Sequence, residues 1–139
     1  MVASTVRFFW QKPVECNARW TLYSAQTSLE RGDMIAAGCK LREALRSYLH
    51  AECEYSACLP KGRRGKRSPQ YAPRTLAHAL RKAGHLEDGC YSWVVEMIEI
   101  GNKAAHLMFV RPQEIATAIS LLHSFLDLSP YLVQDKPNR

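Results

Sequence analysis

Apolar residues recur three and four positions apart along almost the whole of this chain, from about residue 14 to residue 128. That is the helical period, and no apolar–polar alternation longer than a few residues competes with it. Val6-Arg7-Phe8-Phe9-Trp10 alone has strand character. The pattern predicts an all-α protein, an up-and-down bundle of about five helices. A length of 139 residues suits one domain with one core.

Glycine and proline cut the pattern into pieces. Pro13 is suited to open a first helix over residues 14 to 31, with Trp20, Leu22, Tyr23, Ala25 and Leu29 as its apolar stripe. Arg31-Gly32-Asp33 is a compact stop and restart: Gly32 suits a left-handed C-cap and Asp33 an N-cap. So short a link makes the first two helices an antiparallel pair. The second helix is expected over residues 34 to 57, with Ile35, Leu41, Leu45, Tyr48 and Leu49 inward. Its Ala36, Ala37 and Gly38 are small enough to admit a close neighbour. Pro60 ends it. A third, short helix over 74 to 83 turns Leu76, Ala77 and Leu80 inward and stops at Gly84.

The fourth helix is expected over 88 to 107. On a helical wheel Val94, Ile98, Gly101 and Ala105 share one line, and Trp93, Met97, Ile100 and Ala104 share another in the same apolar arc. An arc this wide needs two covering surfaces: the bundle core and a second subunit. Pro112 opens the last helix, over 112 to 128, with Ile115, Ala118, Ile119, Leu122, Phe125 and Leu126 inward. The organisation is thus an N-terminal extension (1–13), a helical domain (14–128) that contains a basic loop (60–73), and a flexible tail (129–139).

Charge sharpens this picture. Of the net charge of +6, five positive charges come from Lys61, Arg63, Arg64, Lys66 and Arg67, which leaves +1 for everything else. A nearly neutral body with one concentrated cationic loop points to a polyanionic partner, RNA or DNA, more strongly than a high isoelectric point does. A solvated, solubilising connector is the plain alternative. Tyr71 follows the loop and is placed to stack on a base.

Other chemistry is thin. The five cysteines (Cys16, Cys39, Cys53, Cys58, Cys90) are odd in number and show no C-x-x-C spacing, so reduced and mostly buried thiols are expected. His50, Cys53 and Cys58 match no zinc spacing, and neither metal nor cofactor is expected. His50, His78, His85 and His123 have no partner at useful spacing. Trp10, Trp20 and Trp93 read as core or interface anchors. With no apolar run of membrane-spanning length and no signal-peptide pattern, a cytoplasmic location without membrane contact is expected.

The fourth helix ends in Ile100-Gly101-Asn102-Lys103-Ala104-Ala105-His106. Asn102 and His106 lie one turn apart and face one region of surface. Their plain role is a polar pair that satisfies helix-end or interface groups. Gly101, Asn102, Ala104, Ala105 and His106 also resemble the Gly-Asn…Ala-Ala-His box of the HEPN superfamily's prokaryotic HEPN-like branch. Gly32-Asp33-Met34-Ile35-Ala36-Ala37, followed by Leu41-Arg42-Glu43-Ala44-Leu45, resembles that family's second helix, and the likeness runs over about residues 17 to 127.

The resemblance implies a helical bundle that commonly dimerises. Many members are metal-independent ribonucleases built on Arg-x(4–6)-His, in which His moves protons and Arg stabilises phosphorane charge. Here the positions that motif assigns to Arg hold Glu99, Ile100 and Gly101, so the resemblance implies a non-enzymatic module, associated with nucleic acid or a partner protein, in bacterial defence or regulation. Two alternatives remain open: a toxin-type ribonuclease that uses His106, Asn102 and a displaced arginine, Arg46 or Arg42, and a docking subunit of a nucleotidyltransferase.

Overall fold

The computed structural model describes residues 13–60 and 71–134. Five helices pack together: α1 (Ala18–Glu30), α2 (Met34–Tyr55), α3 (Pro73–Lys82), α4 (Asp88–Ala105) and α5 (Pro112–Asp127). Two short strands, β1 (Val14–Cys16) and β2 (Leu132–Gln134), pair in parallel, with Val14 opposite Leu132. The basic residues 61–67 and the strand-like stretch 6–10 lie outside the described residues.

α2 is the central element and touches the other four helices. Its length explains this. Twenty-two residues at about 1.5 Å each make a rod of roughly 33 Å, long enough to serve every neighbour. Leu41, Leu45 and Leu49 recur at four-residue spacing and are fully buried, and Leu22, Leu76, Met97, Ile115 and Leu122 close on them from the other helices. Each such side chain contributes about 1.5–3 kcal/mol by leaving water. All six inward positions expected in α5, and all three in α3, are buried.

The small β-sheet was not expected. The first helix begins at Ala18, not at residue 14, and Ser129 to Gln134 belong to the fold where a loose tail was read. Long-range bonds draw both segments in. Val14 N–H donates to the Tyr131 carbonyl at 3.1 Å. Tyr131 Oη reaches both oxygens of Glu52 at 2.7 and 2.9 Å, and its ring stacks on Tyr55 with centroids 3.8 Å apart. Burial, together with the Glu52 carboxylate that accepts its proton, pushes the Tyr131 phenol well above its ordinary value. Glu52 is buried in α2, and Ser129 and Leu132 are buried after α5. Asn17 makes no side-chain cap bond to α1; its Oδ1 is turned to α2, where it accepts from Ser47 Oγ at 2.6 Å.

Helix ends obey cap geometry. Asp33 Oδ1 accepts from Ala36 N–H at 3.1 Å, as its position predicts. Gly32 (φ 78°) and Gly84 (φ 82°) are left-handed caps. α2 and α4 end the same way without glycine, at Ala57 (φ 55°) and Leu107 (φ 61°). In α4 the Met108 N–H bonds the Lys103 carbonyl and the Leu107 N–H bonds the Ala104 carbonyl, a Schellman closure. Both helices therefore stop two residues before the expected ends at 57 and 107.

Several apolar side chains face outward, contrary to expectation. In α1 the buried line is Ala18, Leu22, Ala25 and Ser28, so Trp20 and Tyr23 are half exposed. Ile35 and Trp93 are exposed as well. Of the cysteines, Cys16 and Cys53 are buried, but Cys39 is exposed, not a core thiol, and Cys90 is only partly covered.

Candidate functional site

The α2–α4 crossing positions the polar residues of the fourth helix. Gly38 of α2 lies directly against α4: a Cβ built there would come within 2.3 Å of Ala104 Cβ and 3.2 Å of the Gly101 carbonyl oxygen. No side chain fits at that distance, so a glycine is required for the helices to touch. Gly101 is less tightly enclosed, with 3.4 Å to Arg42 Cβ. The crossing sets Arg42 of α2 beside Asn102 of α4, and Arg42 Nη1 donates to Asn102 Oδ1 at 3.3 Å.

That pair forms one wall of a cleft of about 820 Å³. The opposite wall is the start of α3: Ala72, Pro73, Arg74, Thr75 and His78. Tyr91 and Ile98 of α4 complete it. Pro73 is the first residue of α3, and Ala72 offers no capping side chain. The Leu76 N–H already bonds the Ala72 carbonyl, but the N–H groups of Arg74 and Thr75 have no acceptor among the described residues. The helix dipole adds partial positive charge at this end.

The cleft is electropositive by composition. Arg42 has no carboxylate within ion-pair distance among the described residues. Arg74 reaches Glu99 Oε1 only at 3.9 Å, with both side chains more than half exposed, a contact worth little in water. At the rim Arg81 lies over the Tyr91 ring at 4.5 Å, its charge paired with Asp88 at 3.0 Å, so among the described residues the uncompensated cation of the wall is Arg42.

The chain enters this cleft directly from the basic segment. Residues 60 and 71 flank the ten residues that hold all five loop cations, and Tyr71 Oη donates to the Pro60 carbonyl. Ala72 and Pro73 follow at once as cleft wall. Tyr71 is half-buried and tied to Pro60 in this arrangement.

The residues singled out in the sequence are divided by the fold. Asn102 lines the cleft and meets Arg42. His106 is the C-cap residue of α4, exposed, one turn beyond that wall. Arg46 lies one turn along α2 from Arg42 and is held by Glu43 through Nε at 3.1 Å and Nη2 at 2.5 Å, a pairing that raises its pKa. The arginine that meets the Asn102 side chain is thus Arg42. Arg74 and His78 were not singled out. Their i, i+4 spacing at the start of a proline-opened helix was the available signal.

A second concavity, about 660 Å³, lies between α4 and α5, lined by Trp93, Met97, Ile100, Ala118 and Leu121 with Glu96, Arg111 and Glu114 at its edges. Beyond it the connecting turn exposes Leu107, Met108 and Phe109. Among the described residues no cluster of His, Cys, Asp and Glu is arranged to hold a metal ion, and no helix is long and apolar enough to cross a membrane. No family model, curated protein or solved structure matches this chain.

Proposed function

We propose that this protein is a non-enzymatic module with an HEPN-like up-and-down arrangement that grips the phosphate backbone of RNA or DNA. One observation carries the reading: Pro60 and Tyr71, which flank in sequence the segment bearing Lys61, Arg63, Arg64, Lys66 and Arg67, are hydrogen-bonded to each other, and Tyr71 leads at once into a cleft lined by Arg42, Arg74 and His78. Cations that meet a polyanion release its counterions, and binding by this route is salt-dependent and largely indifferent to sequence. The module acts as a homodimer through the α4–α5 side, where the apolar groove and the exposed Trp93 and Phe109 offer a surface larger than scattered apolar residues.

The test is a binding titration against single-stranded RNA, single-stranded DNA and duplex DNA at several salt concentrations. Binding that weakens with salt, and weakens further in Arg63→Ala/Arg64→Ala, supports the reading. Binding unaffected by either removes the loop from it.

The Arg42–Asn102 hydrogen bond favours one second reading, a metal-independent ribonuclease in which His106 moves protons and Arg42 supplies the guanidinium. Such an enzyme cleaves RNA in the presence of chelator and loses that activity in His106→Ala. Cleavage that survives the substitution excludes this mechanism.

A further inference from the structure

We infer that the cleft between the α3 N-terminus and the α2–α4 crossing is a receptor for a terminal phosphate, the phosphomonoester of a nucleotide or of an oligonucleotide end. The inference deepens the phosphate-gripping reading and rests on it for the nucleic-acid part of the ligand.

Arg42 is the starting point. Arg42 is partly buried as a residue, its guanidinium makes one hydrogen bond, to Asn102, and it has no carboxylate partner among the described residues. A guanidinium that borders a cleft without a carboxylate partner has donors left for charge-assisted hydrogen bonds to an anion. Asn102 accepts from Arg42 through Oδ1, which leaves its amide N–H₂ as a further donor at the same wall.

α3 supplies the other donors. Arg74 and His78 are one turn apart on one face of the helix, both exposed and both lining the cleft. Thr75 lines it too, and the backbone N–H groups of Arg74 and Thr75 have no acceptor among the described residues. Two guanidinium groups, an imidazole, an amide and a hydroxyl thus border one space. Glu99, 3.9 Å from Arg74, is the acid that pairs with this set among the described residues, and it competes only weakly.

Charge and size decide the ligand class. An internal phosphodiester carries one negative charge, and a single arginine answers it. A phosphomonoester carries nearly two charges and three free oxygens, which suits paired arginines with helix-end donors. The space of about 820 Å³ far exceeds a bare phosphate and falls in the range of small-molecule sites. Pro73, Tyr91 and Ile98 give it an apolar wall for the attached nucleoside.

The experiment uses the full chain and labelled ten-nucleotide RNA strands carrying a 5′-phosphate, a 3′-phosphate or hydroxyls at both ends. A nucleoside 5′-monophosphate and its parent nucleoside are titrated alongside. The expected result is about tenfold tighter binding of one phosphorylated end over the hydroxyl-ended strand, and of monophosphate over nucleoside. The 5′ and 3′ arms identify the end. Arg42→Ala and the exposed-site variant Arg74→Ala each bring the affinity for the phosphorylated strand down to that for the hydroxyl-ended strand of the same variant, and that of the monophosphate down to that of the nucleoside. Circular dichroism checks the fold, and Arg74→Ala keeps the test decisive if Arg42→Ala unfolds. Equal binding of phosphorylated and hydroxyl ligands overturns the inference and leaves the loop reading standing. If no strand binds, the loop reading fails, and the monophosphate–nucleoside pair alone decides the cleft.

Discussion

The two long sides of α4 are built in opposite ways. Toward α2, Gly38 allows backbone contact, and Val94, Ile98, Gly101 and Ala104 are buried. Toward α5 the helices leave a groove of about 660 Å³, and Trp93 is 53% exposed. α5 finds its anchorage elsewhere, on α1: Arg19 bonds Asp127 at 2.6 Å and His123 Nδ1 at 3.0 Å, and Tyr23 packs its ring on His123. The difference teaches that α4 is fixed to the bundle by Val94, Met97 and Ile98 and by the close approach at Gly101 and Ala104, and not by Trp93, its largest side chain. The tight side sets the geometry of Arg42 and Asn102; the open side has surface to spare for a partner.

Substitutions at the tight side have the largest expected effect. Gly38→Ala places a methyl where Ala104 Cβ would be 2.3 Å away. Overpacking of this kind costs about 1–3 kcal/mol or more, and the gain of about 1 kcal/mol in helix propensity does not cover a clash against a second helix. Chemical denaturation should show a net loss of about 2 kcal/mol. Gly101→Ala, with 3.4 Å of room, should be neutral or stabilising by up to about 1 kcal/mol. Equal losses at the two glycines would mean that the crossing is looser than described.

The end of α4 comes next. Leu107 holds φ at 61° with its side chain 77% exposed, so Leu107→Gly relieves left-handed strain and loses little burial. A gain of about 1 kcal/mol in unfolding free energy is expected. A loss would show that Leu107 packs on something the protomer does not supply.

On the open side, Trp93→Ser should lower protomer stability by only about 1 kcal/mol, since about half of the residue is already in water. The homodimer reading expects it to lower the mass seen in sedimentation. A larger loss of stability without a change in mass would make Trp93 an ordinary core residue.

The smallest effect is the pH dependence of the α1–α5 seam. Burial and the Arg19 guanidinium hold the His123 pKa below its ordinary 6.5, with Asp127 opposing them. The unfolded chain therefore binds the proton more readily than the native one, and stability should fall as pH drops through 6.5 and below. His123→Gln should flatten this part of the profile. An unchanged slope would place the titration elsewhere.

Periodicity made the bundle legible because α3 and α5 bury one clean face each, and their inward residues were readable without coordinates. Caps were legible where Gly32 and Gly84 mark them and hidden where Ala57 and Leu107 take the same conformation, since propensity argues against it there. Trp20 and Tyr23 misled because side-chain size is a poor guide to which line of α1 faces α2. β1, β2 and the Tyr131–Glu52 tether were invisible: three-residue strands carry no period, and contacts between positions 79 residues apart leave no local mark. The Gly101-Asn102 box was conspicuous, but the cleft it borders was not, because Arg42, Arg74 and Asn102 converge only once α2, α3 and α4 are packed.

The most direct test of phosphate binding by loop and cleft is the salt dependence of the affinity for single-stranded RNA. If the five loop cations each displace a counterion, log K should fall with log salt at a slope near −3.5, and near −2 for Arg63→Ala/Arg64→Ala. A slope near zero, or one that the double substitution leaves unchanged, would contradict it.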